Sequence, residues 1–368
     1  MVKTGETYIN VGIATTGKPI LKRTDNNTIL KNQRIGLGFH WERSIESILP
    51  GEVIVTDDPV YQIINRLPLE TYLQSVVGSE MNPDAPIEFL KAHAIISRSW
   101  AMGKIIGADT PKNEGKIFSP DLILNWEDTC DHHSFDVCAD DHCQRYQGIQ
   151  HFNPNIIEAI QSTTGLCLYS KSDQLVDARF SKCCGGKTEV FSSCWQSHEQ
   201  PCLESFEDPW CDLSTLSVKN KELVLKSILK EYDLDNNGGY RWETQVSAED
   251  IKRNLYTKFG RDIGDIVNAQ IIEKGASGRA TLIRLIGSKG SLDLGKELMI
   301  RRLLAPTHLY SSRISIEKDT HRPDIFKIKG SGWGHGVGLC QIGAARKAIE
   351  GYNYREILSF YYPGSEIH

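Results

Sequence analysis

No run of about 18 apolar residues occurs in this 368-residue chain, so the sequence predicts no membrane-spanning helix. The amino-terminal MVKTGETYINVGIATTG lacks the apolar core of a signal peptide, which leaves either a cytoplasmic chain or one whose export signal has been removed. A surplus of positive charge is missing too. Lys and Arg number 42 against 47 Asp and Glu, and the formal net charge of -5 argues against nucleic-acid binding driven by bulk charge. Internal repeats and low-complexity tracts are absent. With 40% apolar and 24% charged residues, 31 Gly and 14 Pro, the composition excludes collagen-like repetition and wholesale disorder. What remains is a globular protein long enough for about two domains of ~150 residues each.

Cysteine, by contrast, is plentiful. Nine of the ten lie between Cys130 and Cys211, with Cys340 apart, a clustering that suggests disulfides in an oxidising compartment and metal ligands or plain thiols in a reducing one. Residues 1–66 alternate short β-branched runs with Gly, Asn and Pro punctuation and read as an amino-terminal β region. Two helical patterns follow, from Pro68 to about Met81 and from about Ala85 to Lys104. Between residues 213 and 321 the character changes to helix, polar turn, helix and strand, which predicts a smaller inserted α/β domain. Residues 67–212 with 322–368 then form the core, giving an α+β protein of mixed helix and sheet.

On the first helix, at about 100° per residue, Leu69, Tyr72, Leu73, Val76, Val77 and Glu80 fall within one arc of roughly 140°. A carboxylate on that face loses hydration and sits beside the negative end of the helix dipole. Both effects raise its pKa, as a general acid working near neutral pH requires. The alternative is that Glu80 bends out to water from a frayed last turn. The second helix, with Asp84 as the expected N-cap and Pro86 in its first turn, is apolar almost all round yet carries Lys91, His93 and Arg98. A buried arginine needs an anion, whether Glu80, another carboxylate or an anionic substrate; the alternative is that Arg98 snorkels at the rim of the core.

Within CDHHSFDVCADDHC, Cys138 and Cys143 are spaced as in zinc sites, with Cys130, His132, His133 and His142 near enough to complete a tetrahedron. Cys183, Cys184, Cys194, Cys202 and Cys211 show no ligand spacing. Gly330, Gly332, Gly334, Gly336 and Gly338 recur every second residue, so in an extended segment they share one side while Trp333 and His335 face the other. Trp333 suits stacking on a pyranose and His335 hydrogen-bonding to it; a packed inner strand is the alternative. Val337 stands where a dinucleotide fingerprint needs its third glycine, and no Walker lysine follows. Cys340, five residues after His335, raises a Cys/His hydrolase only if thiol and imidazole meet in space. Asp233, Asp235, Asn237 and Gly238 fit the start of an EF-hand, but Thr244 occupies the closing position, so a polar turn is expected there.

Five segments occur in order: RLPLETYLQSVVGSEMNP, PIEFLKAHAIISRSWA, CQRYQG, FSKCCGGKTE, and GSGWGHGVGLCQIGAARKA with YREILSFYYPGSEI. Together they resemble the successive motifs of the stage II sporulation protein D and amidase-enhancer (SpoIID/LytB) family over about residues 60–368. The resemblance implies a lytic transglycosylase that cleaves between N-acetylmuramic acid and N-acetylglucosamine of peptidoglycan strands stripped of stem peptides, acting in the cell envelope. The family's catalytic glutamate falls on Glu80, its following arginine on Arg98, and its GGxTE element on Gly185, Gly186, Thr188 and Glu189. Arg98 and Lys187 become candidates for the muramoyl carboxylate. One residue suffices for acid and base because the muramoyl 6-hydroxyl is the nucleophile; a hydrolase would need a second carboxylate, such as Glu189 or Asp177. The resemblance also implies zinc on one histidine and two cysteines, here Cys138 and Cys143 with His132 or His133. The Cys183 and Cys184 doublet departs from the family's usual pattern. The competing implication is a non-catalytic module that holds glycan and enhances a separate cell-wall amidase.

Overall fold

The computed structural model describes residues 6–37, 42–56, 62–107, 115–127, 132, 134–140, 143–196, 199–228 and 239–368. The amino-terminal alternation resolves into antiparallel strands. Tyr8–Ile13 turns Ile9, Val11 and Ile13 inward and pairs with Gln62–Pro68, which pairs in turn with Glu52–Thr56. On its other edge Tyr8–Ile13 takes the two-residue strand Val137–Cys138 in parallel, which anchors part of the Cys/His segment to the core. Pro68 ends the strand Gln62–Pro68 and fixes the entry to helix α1, Leu69–Glu80. Helix α2, Ile87–Ile105, starts after Pro86; Asp84 does not cap it, because its backbone N–H is held by Asn82 Oδ1 at 2.9 Å in the turn between the helices.

Two hydrophobic cores divide the molecule, and both helix and sheet contribute to each, so the fold is α+β. In the first, Ile9, Leu30 and Leu67 pack with Tyr72, Leu73 and Val76 of α1, Phe89 and Ile95 of α2, and Ile342, Ile357 and Tyr361 near the carboxyl end. In the second, Ile251, Leu255, Ile283, Leu285, Leu294, Ile300 and Phe326 pack together around the sheet Ile266–Lys274, Ala280–Gly287, Gly290–Gly295. The packing differs from the expected boundaries in four ways. The amino-terminal strands share the first core, and the helix Val218–Ile228 buries Val224 and Ile228 there rather than in the insert. The strand Ile325–Ser331, expected in the core, pairs instead with Arg241–Ser247 and Ile314–Lys318 of the second unit. The strand Leu122–Leu124 also joins the second unit, parallel to Gly290–Gly295, so the chain visits it twice. Sequence distance hid that crossing. The EF-hand-like residues Asp233, Asp235, Asn237 and Gly238 lie outside the described residues; Glu243 and Thr244 sit in the strand Arg241–Ser247.

Candidate active site

Where the two cores meet, a cleft of about 1190 Å³ opens. It exceeds the ~300–1,000 Å³ usual for small-molecule pockets and suits a segment of polymer. Glu80, the last residue of α1, is half-buried and lines it. The backbone N–H of Arg145 donates to Glu80 Oε1 at 3.2 Å. That contact explains the CQRYQG segment in physical terms. Gln144 accepts from Tyr72 Oη at 3.1 Å and donates to the Ser97 carbonyl at 3.3 Å, tying the segment to both helices and setting the main chain of Arg145 against the carboxylate. Because a backbone amide makes the contact, no side-chain type in the sequence announces it.

Arg98 is not in this cleft. It is 1% exposed, and its guanidinium grips Glu70 at 2.8 and 2.7 Å and the Leu166 carbonyl at 3.1 Å. Glu70 stands at the opposite end of α1 from Glu80, about 15 Å away at 1.5 Å per residue. The anion that a buried arginine requires is therefore this structural partner, and the catalytic placement of Arg98 is corrected to a strut between α1 and α2.

The GGxTE element also lies away from the cleft wall. Gly185 offers its carbonyl to Arg241 at 3.0 Å and Arg313 at 2.8 Å, and Gly186 carbonyl accepts from Asp208 N at 2.9 Å. Thr188 donates to the carbonyls of Glu204 and Phe206, and Lys187 pairs with Glu207 at 3.4 Å. None of the four is among the cleft-lining residues, so their expected substrate contacts are corrected to a braced turn. Glu189 is fully buried, accepting from Ser277 Oγ at 2.6 Å and Ser193 Oγ at 3.1 Å, while Asp177 pairs with Arg179 at 2.9 Å. Neither lines the cleft.

Trp333 and His335 do line it. The strand that carries the glycines ends at Ser331, and from there the backbone is not extended: Gly332, Gly334, Gly336 and Gly338 have φ of 84°, 97°, 78° and 70°. These are left-handed values that glycine adopts without the Cβ penalty. The alternation still presents Trp333 and His335 to one cavity, but by left-handed steps rather than by a pleat. Lys182 sets its ammonium 4.5 Å from the Trp333 ring centroid, and Tyr310 meets the same ring edge-on at 5.0 Å. His335 Nδ1 accepts from Val337 N at 3.0 Å, which leaves the proton of the neutral ring on Nε2. Burial, followed by the charges of Arg179, Arg279 and Arg301, holds His335 well below the usual histidine range. Lys182, Trp195 and Arg145 were not singled out by sequence reasoning; only Lys182 and Trp195 carry a readable signal, as a cation and an aromatic flanking the cysteine-rich stretch.

Cys340 does not meet His335 as a nucleophile. Its sulfur accepts from the backbone N–H of Cys184 at 3.3 Å, it is fully buried, and burial pushes the thiol up to about 11. None of the nine described cysteines is disulfide-bonded.

His132, Cys138 and Cys143 present ligand atoms within 4.8 Å of one another, with His132 Nε2 3.3 Å from Cys143 Sγ. One imidazole and two thiols are a donor set suited to zinc. The set fits, and all three residues line the cleft that holds Glu80. His133, Cys130 and His142 lie outside the described residues.

Residues 57–169 match the stage II sporulation protein family, and residues 189–338 match a domain of unknown function (DUF8618). The chain is 26% identical over 320 residues to the amidase enhancer of Bacillus subtilis (strain 168), covering 80% of this chain and 40% of that protein. To the stage II sporulation protein D of the same organism it is 24% identical over 316 residues, covering 84% and 78%. The family match and these relatives support a SpoIID/LytB relationship for this chain. An uncharacterised protein of Brachyspira hyodysenteriae is 26% identical over 306 residues, covering 83% of this chain and 68% of that one. No helix among the described residues is long and apolar enough to cross a membrane.

Proposed function

We propose that this protein acts in the cell envelope on peptidoglycan glycan strands as a lytic transglycosylase, with Glu80 as the single acid and base. The observation that supports this most is the state of the other carboxylates. Among the described residues lining the cleft, Asp140 accepts from Gly36 N and Leu37 N at 2.8 and 2.7 Å, Glu127 pairs with Arg302, and Glu297 pairs with Arg301. With Glu189 and Asp177 also engaged elsewhere, no carboxylate among the described residues is left uncommitted opposite Glu80 to activate a water as a hydrolase requires. Intramolecular attack by the muramoyl 6-hydroxyl needs no such group. Glu80 protonates the departing glycosidic oxygen and then accepts the hydroxyl proton, leaving a 1,6-anhydro end. Trp333 supplies a ring face for the sugar and Lys182 positive charge for the muramoyl carboxylate, while His335, held by Val337 N and the Phe180 main chain, shapes the cleft wall beside them.

His132, Cys138 and Cys143 would hold zinc in the same cleft as this carboxylate. Such a three-ligand site would leave a coordination position open and would supply Lewis acidity there.

The test is digestion of peptide-free glycan strands. The wild type releases anhydromuramoyl ends, and Glu80→Gln, whose amide oxygen still accepts from Arg145 N, loses about 10²–10⁴-fold of the rate. Reducing muramic ends would refute transfer. The relative named amidase enhancer favours a second reading, a glycan-holding partner of a cell-wall amidase. That reading prevails if Glu80→Gln retains full enhancement of an amidase and the wild type yields no glycan product.

A further inference from the structure

A second group of ligand-bearing side chains lies behind the cleft wall, fully buried and unused by the proposed chemistry. Cys184, Asp208, Cys211 and Cys340 each turn one ligand atom toward a common point, all four atoms lying within 4.8 Å of one another. They come from segments far apart in sequence. Cys184 follows the strand Phe180–Ser181, Asp208 caps and Cys211 ends the turn Pro209–Cys211, and Cys340 closes the strand Leu339–Cys340 just before the helix Gln341–Ile349. Such a convergence of three thiols and a carboxylate, all fully buried, is costly unless something neutralises or joins them.

We propose that these four residues bind a structural zinc ion, closed to solvent and separate from the open His132, Cys138 and Cys143 group. The distances agree with one ion. Zinc–sulfur bonds of about 2.3 Å set the sulfur–sulfur edge of a tetrahedron at about 3.8 Å. Cys184 Sγ and Cys211 Sγ are 3.4 Å apart, much nearer that edge than the ~2.05 Å of a disulfide. Asp208 Oδ2 lies 3.1 Å from Cys184 Sγ. The surroundings are those of a supported metal site: Tyr361 Oη donates to Asp208 Oδ2 at 3.1 Å, Trp210 N donates to Asp208 Oδ1 at 3.0 Å, and Cys184 N donates to Cys340 Sγ at 3.3 Å. Even the adjoining helix is shaped for it. A Cβ on Gly343 would stand 2.0 Å from Tyr361 Oη and 3.0 Å from Asp208 Oδ2. Four protein ligands leave no open position, so the ion has a structural role. It joins the parallel pair Phe180–Ser181 and Leu339–Cys340, from which Lys182 and the Trp333 to His335 segment reach the cleft.

Metal content measured on purified protein tests this. The Cys138→Ser/Cys143→Ser variant removes the open group and leaves the buried one untouched, so it is expected to retain about one zinc per chain through dialysis, with the mass of a fully reduced chain after denaturation. Zinc near zero in that variant, or an intact mass lowered by two hydrogens for each disulfide, overturns the proposal. Adding Cys211→Ser or Asp208→Asn should cut the remaining zinc at least about tenfold. Cys183→Ser, which alters the neighbouring thiol, should leave it in place; loss with Cys183→Ser and retention with Asp208→Asn would refute the ligand set. Cobalt substitution of the double variant gives a readout independent of folding yield: the expected spectrum has intense thiolate charge-transfer and tetrahedral bands, and an octahedral spectrum counts against the site.

Discussion

Replacing Glu70 by Gln removes the negative charge from a pair whose other member, Arg98, is 1% exposed. Breaking a buried ion pair from one side costs about 3–5 kcal/mol, because the remaining charge is stranded. Glu70 is 33% exposed on its side chain, so water reaches that end of the pair, and the Leu166 carbonyl still accepts from Arg98. We therefore expect a loss of about 2–3 kcal/mol for Glu70→Gln. Arg98→Met removes the buried charge itself and strands only a part-solvated carboxylate and one carbonyl, for about 1–2 kcal/mol. The double variant should resemble Arg98→Met, giving a coupling of about 2 kcal/mol in a double-mutant cycle. Urea denaturation measures it as a shift in midpoint at constant slope. Because Glu70 is about 15 Å from Glu80 along α1, glycan cleavage per folded molecule should stay within a few-fold of wild type in all three variants. An Arg98→Met protein with unchanged stability and cleavage reduced more than 100-fold would refute the strut and return Arg98 to the chemistry.

Gly336 has φ of 78°, and a Cβ there would lie 2.3 Å from Arg279 Cζ, itself fully buried; Gly336→Ala should destabilise by at least about 2 kcal/mol, and an unchanged melting temperature would contradict this. Burial depresses His93 to about 3, and its ring is held between Ser97 and Gln341. Below pH 6.5 the unfolded chain takes up a proton that the folded one refuses, so stability falls as pH drops from about 6.5 toward 3, by up to about 1.4 kcal/mol per unit. His93→Gln should flatten that dependence by about 2 kcal/mol between pH 7 and 5; identical slopes in the two proteins would count against it. Trp333→Ala, at a half-buried position, should weaken binding to glycan strands about tenfold with little effect on folding, as equilibrium binding with the Glu80→Gln background would measure.

Much of the local structure was legible because it rests on local rules. The period of Leu69, Tyr72, Leu73 and Val76, with a proline at the entry, specifies α1 and places Glu80 at its end. The chain alone likewise indicated the second helix, the alternating amino-terminal strands and the ordered motifs of the family. Asp84 misled because two prolines flank it: Asn82 and Pro86 between them take over the turn, and a capping residue is not needed. The alternating glycines misled in a different way. A period of two is compatible with a pleated strand and with repeated left-handed steps, and only the partners of the backbone, such as Cys183 with Trp333 and Glu189 with Gly336, select between them.

By itself the chain determined which segments coil, which extend, and which carboxylate stands at the end of an apolar helix face, since these follow from side-chain size, polarity and spacing over a few turns. Only the tertiary structure decided which charges answer one another. Arg98 found Glu70 instead of Glu80, Arg145 reached Glu80 through its main chain, and Cys184 met Cys340 across the molecule. Long-range pairing depends on distances set by two packed cores, and short-range periodicity carries no record of them.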